Sequence, residues 1–259
     1  MVGYPESLTD PSFAGQVLVL TYPLVGNYGV PVEEPDQLGL PKHFEGERIF
    51  PVAVVVAEYS FCGSHYLARK TLAQWLEAHN VPGIFGVDTR AITKHLRTRG
   101  STLGVVVVGE GASSPAWEDP NKRNLVAEVS IKQPRVFELA GDASEKPKPR
   151  IVAVDCGMKY NIIRFLAIHM RARVKVVPWD YDFLQEEFDG LFISNGPGDP
   201  GHAAKTIEHL RKVMQARPST PIFGICLGHQ LLALAAGAKS YKMKFGNRGM
   251  NQPCVDLRT

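Results

Sequence analysis

The chain has 259 residues, 44% of them hydrophobic, 9% aromatic and 21% charged, with a formal net charge of +3 at pH 7. Those proportions exclude a disordered tail, a coiled coil and a collagen-like fibre, and the length suits one large domain or two of moderate size. So small and dispersed a charge gives no warrant for nucleic acid, and the longest strongly apolar run, residues 49–57, is too short for a bilayer and contains Pro51.

The start of the chain, MVGYP, carries no signal-peptide pattern, and Cys62, Cys156, Cys226 and Cys254 are widely scattered with no CxxC pair. A disulfide framework and a zinc site are not expected, which points to a reducing, cytoplasmic compartment. The first region is rich in β-branched stretches, predicting strands over 17–22, 52–57 and 105–108. Helices are predicted over 66–79 and 89–99. In the second of these Ile92, His95, Leu96 and Arg99 recur at helical spacing, Asp88 or Thr89 is the N-cap, and packing on a sheet is expected. Residues 110–121 read as a loop, and the polar, proline-bearing stretch 138–150 as the linker between two domains, 1–137 and 151–259.

Beyond the linker, strands and helices alternate. Strands are predicted over 151–155, 174–178, 191–194 and 221–225, and helices over 159–169 (Ile162, Ile163 and Leu166 inward), 203–215 and 228–236. This alternation specifies an α/β fold, a parallel sheet covered on both faces, with functional loops at the carboxyl ends of its strands. Two such loops stand out.

PIFGICLGHQ (221–230) has the form G-x-C-x-G between a strand and a helix. A turn of this kind exposes the sulfur, sets it at a helix N-terminus where a thiolate is favoured, and aims the next backbone N–H at a reacting carbonyl. The competing explanation is a small buried cysteine between two packing glycines. SNGPGDP (194–200) also follows a strand, and its N–H groups suit half of an oxyanion hole or an anion nest as well as a plain turn. Converging on one pocket, the loops make the apparatus for acyl transfer from an amide through a thioester.

GICLGHQ with SNGPGDP upstream resembles a class I, triad-type glutamine amidotransferase domain. MVGYPESLTDPS (1–12), TYPLVGNYG (21–29), GVDTR (86–90) and NRGMNQPC (247–254) extend the likeness to the glutaminase subunit of carbamoyl-phosphate synthetases, especially the pyrimidine-pathway form within eukaryotic multifunctional proteins. The resemblance implies an N-terminal mixed β/α small domain followed by a flavodoxin-like parallel sheet. It implies Cys226 as nucleophile and the backbone N–H groups of Leu227 and Gly196 as oxyanion hole. Ser12, Gly196, Gly198, Leu227 and Gln230 would bind glutamine near the domain junction. No cofactor or metal is expected in this chain, since ATP and Mg belong to the synthetase subunit or domain that would be its partner and receive its ammonia.

The family's catalytic His and Glu follow the cysteine at a distance, whereas the only histidine after Cys226 is His229, expected to pack or support the helix. Met250 stands where relatives usually have histidine. The resemblance therefore implies an internal piece of a glutaminase unit, lacking the first strands of its small domain and its C-terminal part, with an exposed sheet edge and impaired turnover. The remaining histidines show no metal-ligand spacing, DCGMKYN (155–161) reads as packing or domain contact, and Arg164, Arg171, Arg173 and Lys175 as a solvated face. The alternatives are a docking or regulatory fragment that binds the synthetase partner, and a flavodoxin-like nucleotide binder, against which the lack of a phosphate fingerprint argues.

Overall fold

A computed structural model of the chain describes residues 3–107, 109, 116–140, 147–245 and 255–258; the 247–254 stretch, with Met250 and Cys254, lies outside them. Two sheets organise the described residues, one of three strands and one of five.

In the first body, α1 (Tyr4–Leu8) is followed by β1 (Val17–Val25) and β2 (Ala53–Tyr59), which pair in parallel. Both strands run past their expected ends, across a register irregularity between Leu20 and Leu24 that brackets Pro23, a residue with no N–H for the ladder. β3 (Gly83–Ile84) extends the sheet beside β2. The helix expected over 66–79 is only α2 (Leu72–Ala78), because a reciprocal cap fixes its start: Gln74 N–H donates to Thr71 Oγ1 and Thr71 N–H to Gln74 Oε1. Lys70, just before it, bridges to Val30 instead. Tyr4, Leu8, Val25, Val54, Leu72 and Trp75 form the core.

α3 (Thr89–Arg99) starts where expected, with the Asp88 carboxylate accepting the Ala91 N–H at 2.8 Å. It lies against β1 and β2 as expected, but shallowly: only Thr89 is buried, Ile92 is half-buried, and His95, Leu96 and Arg99 are exposed. Residues 105–107 form no strand, since the described residues offer them no partner, and Val108 lies outside the described residues.

The second body holds β5 (Arg150–Asp155), β6 (Arg173–Pro178), β7 (Gly190–Ile193) and β8 (Ile222–Gly224), all parallel, in the order β6-β5-β7-β8. α6 (Ala204–Ala216) and α7 (Leu227–Ala235) cover the face bearing Val152, Val154 and Ile193. α5 (Tyr160–Arg164), continued by a π-helical turn over Phe165–His169, covers the face bearing Ala153, Val174 and Phe192, with Ile163 and Leu166 inward. Among the described residues β8 is an edge strand, and Phe223 and Ile225 are exposed there.

Residues 125–137, which the sequence reading placed ahead of the boundary, lie with the second sheet. β4 (Arg135–Phe137) pairs antiparallel with β6, so the sheet is not wholly parallel, and Val126 of α4 (Leu125–Val129) packs with Val152 and Leu227. A short edge strand with two exposed residues carries no hydrophobic signature, so the polar stretch after it looks like the boundary although it joins two strands of one sheet.

Arg164 corrects another expectation. Instead of lying on a solvated face, its guanidinium reaches into the first body, donating to Asp36 Oδ2 at 2.7 Å and to the Pro41 carbonyl at 2.5 Å. Lys159 pairs with Asp10 at 3.1 Å, and the N–H groups of Tyr160 and Asn161 donate to the carbonyl and carboxylate of Glu45, so DCGMKYN is a contact between the bodies. Burial pushes the Asp36 carboxyl up, but the Arg164 hydrogen bond and the N–H groups of Leu40 and Leu38 outweigh it and hold the group below the usual carboxylate range. Arg164→Ala should cost about 3 kcal/mol in urea unfolding, because it strands a poorly exposed carboxylate. An Asp36 depressed in the folded state contributes stability above its unfolded pKa of about 4 and loses it as pH falls through the lower folded value. The difference between wild type and variant should therefore shrink at acid pH.

Candidate active site

β8 delivers the chain to Cys226 at the carboxyl end of the second sheet, next to the end of β7. Ile225 N–H donates to Ile193 O at 3.0 Å, and Gly228 N–H donates to Ser194 O at 3.0 Å, so the turn is stitched to the end of β7 on both sides of the cysteine. Cys226 is the N-cap of α7, with φ 53° and ψ −109°. Positive φ in a residue with a Cβ costs on the order of 1–3 kcal/mol and persists only where the surroundings impose it. They do so here. A Cβ on Gly224 would lie 2.5 Å from the Gly228 carbonyl, and one on Gly228 would lie 2.7 Å from the Ile193 carbonyl carbon and 2.8 Å from Ser194 O. The two glycines thus let strand and helix close to backbone contact while the thiol between them stands exposed. The dipole of α7 favours negative charge at that end.

Cys156 is the opposite case. It is buried, and burial with the adjacent Asp155 charge pushes its thiol well above the ordinary range. Cys62 is exposed but precedes no helix.

The second loop lies against the first. A Cβ on Gly196 would collide with Cys156 O and stand 3.0 Å from Leu227 Cδ2, which brings the two expected oxyanion residues side by side. Gly196 N–H has no acceptor among the described residues. Gly198, with φ 83°, sits at the outer end of the loop, where a Cβ would be 3.4 Å from Leu125 Cβ. Ser12 comes from the other body: its Oγ accepts the Asn195 carboxamide at 2.9 Å, and its N–H is held by the Asp10 carboxylate. Gln230 donates its backbone N–H to Cys226 O, and its side chain is exposed one turn into α7.

The structure therefore gathers Ser12, Gly196, Leu227 and Cys226 at the junction, leaving Gln230 and Gly198 at the periphery. Sequence reasoning missed Asn195 and Asp10, both buried; an internal hydrogen-bond hub leaves no periodic trace in a sequence. Of the two roles expected of His229, packing or support of the helix, packing is not seen, as the residue is exposed; no described residue hydrogen-bonds to the Cys226 thiol. Among the remaining histidines, His202 and His209 each bury a ring Nδ1 without a partner, but among the described residues no three His, Cys, Asp or Glu groups converge as a metal site. No helix among the described residues is long and apolar enough to cross a membrane.

Residues 1–106 match the family model for the carbamoyl-phosphate synthase small chain, CPSase domain, and residues 152–259 match class-I glutamine amidotransferase. The multifunctional protein CAD of Squalus acanthias is 54% identical over 256 residues, which cover 98% of this chain and 11% of that protein. The multifunctional protein URA2 of Saccharomyces cerevisiae is 48% identical over 98% of this chain and 13% of its own length. The arginine-specific carbamoyl phosphate synthase small chain of Yarrowia lipolytica is 49% identical over all of this chain and 59% of its own. The chain thus spans about a tenth of the multifunctional relatives and under two thirds of the small chains. The chain combines a carbamoyl-phosphate synthase small-chain CPSase domain with a class I glutamine amidotransferase domain that follows it.

Proposed function

We propose that this chain is the glutamine-hydrolysing part of a cytoplasmic carbamoyl-phosphate synthetase of the pyrimidine pathway, supplying ammonia to a synthetase subunit or domain that holds ATP and Mg. The observation that carries the reading is the exposed thiol of Cys226, held at φ 53° on a strand-to-helix turn against the Gly196 loop. Its sulfur attacks the side-chain carboxamide carbon of glutamine. The carbonyl oxygen becomes an oxyanion received by the N–H groups of Leu227 and Gly196. Collapse expels ammonia and leaves a γ-glutamyl thioester, which water hydrolyses to glutamate and free thiol. Ser12, Gly196, Gly198, Leu227 and Gln230 hold the substrate, with Ser12 making the site depend on both bodies. The leaving ammonia needs a proton, and the family resemblance assigns that transfer to a His/Glu pair that is not among the residues gathered here.

The bare Cys226 thiol also favours a second reading, a module that docks on the synthetase with little turnover of its own. Labelling with iodoacetamide at neutral pH tests the first reading at its root. Cys226 should react at least about tenfold faster than Cys62, glutamine should slow Cys226 alone, and buried Cys156 should react only on unfolding. Equal rates at Cys226 and Cys62, with no protection by glutamine, would remove it.

A further inference from the structure

The geometry points to Ser194 as a positioning residue for the amide hydrolysis proposed above, its hydroxyl fixing the Asn195–Gly196 peptide so that the Gly196 N–H is held out for the substrate oxygen. This inference rests on that reading of Cys226 and adds a residue that touches neither substrate nor thiol.

Ser194 follows β7 and is fully buried. Its Oγ accepts the Cys156 N–H at 2.9 Å and donates to the Asn195 carbonyl at 2.8 Å. The direction of the hydroxyl proton is not free: an amide N–H can only give and a carbonyl can only take, so the proton lies on the Asn195 side. The Asn195 carbonyl and the Gly196 N–H belong to one peptide plane, and every described peptide is trans, so the two groups point in opposite directions. Holding the carbonyl inward therefore turns the N–H outward, where it meets no described acceptor.

Such a lock answers a weakness specific to this loop. Gly196 cannot carry a Cβ, because one would strike Cys156 O. The same missing Cβ lets the preceding peptide turn over at little steric cost, which would exchange the oxyanion donor for a repelling carbonyl. A turned peptide would also leave the buried Ser194 hydroxyl without an acceptor, and that opposes it. The flanking residue is anchored too. Asn195 donates its carboxamide to Ser12 Oγ and Gly157 O, each at 2.9 Å, and accepts the Lys159 N–H at 3.3 Å. The orientation of this peptide therefore rests on the Ser194 hydroxyl, the one described group that bonds to the Asn195 carbonyl.

The test uses glutamate γ-semialdehyde, which forms a tetrahedral adduct with a reactive thiol and places its oxygen where the oxyanion would be. Adduct affinity is read as protection of Cys226 from iodoacetamide, a displacement that needs no oxyanion donor. Ser194→Ala should weaken the adduct by about tenfold to a hundredfold, leave the unprotected alkylation rate within about twofold, and keep a cooperative melt. Ser194→Thr, which keeps the hydroxyl, should recover most of the affinity. A crystal structure of the wild-type adduct should show the Asn195 carbonyl still on Ser194 Oγ, and it decides the matter if the variants do not fold. Undiminished adduct affinity in Ser194→Ala, or an Asn195 carbonyl turned away in the wild-type adduct, overturns the inference while leaving Cys226 as nucleophile. A wild-type protein that forms no adduct removes the amidohydrolase reading and this inference together.

Discussion

Replacing Cys226 with serine is expected to lower glutamine-dependent carbamoyl phosphate synthesis by about 10⁴-fold or more, while synthesis from added ammonium stays at the wild-type rate. The selectivity follows from where the residue sits. Cys226 faces solvent at the N-cap of α7, so losing the sulfur removes no core contact, and folding stability should change by less than about 0.5 kcal/mol. Its chemical role has no substitute, since a serine hydroxyl is a much poorer nucleophile than a cysteine sulfur. Ammonium bypasses the step altogether. The measurement is a paired assay of the assembled synthetase on glutamine and on ammonium. Equal losses on both would mean that Cys226 acts on assembly or structure rather than as a nucleophile.

The second large effect is expected from Gly228→Ala. Only a methyl is added, but it would be built into the carbonyl of Ile193, at the end of a strand flanked by β5 and β8 and covered by α7. β7 cannot retreat, so α7 must, and its retreat breaks the 3.0 Å bond from Gly228 N–H to Ser194 O. Overpacking of this kind costs about 3 kcal/mol, near the upper end of what a single methyl does in a core. In whatever fraction still folds, the thiol is withdrawn from the Gly196 loop, so glutaminase activity should fall further than stability does. Gly104→Ala is the control: nothing lies within 4 Å of its would-be Cβ, and urea unfolding should be unchanged within about 0.5 kcal/mol. If the two variants unfold alike, backbone closeness at Gly228 is not what shapes the elbow.

Where each element's signal was local, it was legible. Val152, Ala153 and Val154 form a short run buried on both faces, and such a run reads as an inner strand without any partner in view. Asp88 caps its helix because a carboxylate before a helix start needs only the next turn to act on. The start of α2 was missed because the 66–70 stretch has helical spacing but is claimed by pairing of Lys70 with Val30, forty residues upstream. α3 is a mixed case: it lies against β1 and β2 as its periodicity implies, yet His95, Leu96 and Arg99 of the expected face remain exposed.

The sequence by itself determined the alternation of strand and helix, the G-x-C-x-G turn and the residues around it, because each depends on neighbours within about one helical turn. Tertiary structure alone decided that 125–137 joins the second sheet, that Arg164 reaches Asp36, and that Asp10 and Ser12 meet Asn195. Those are pairings of polar groups more than a hundred residues apart, or of a strand three residues long, and a buried hydrogen bond is specified by the position of both partners rather than by the identity of either.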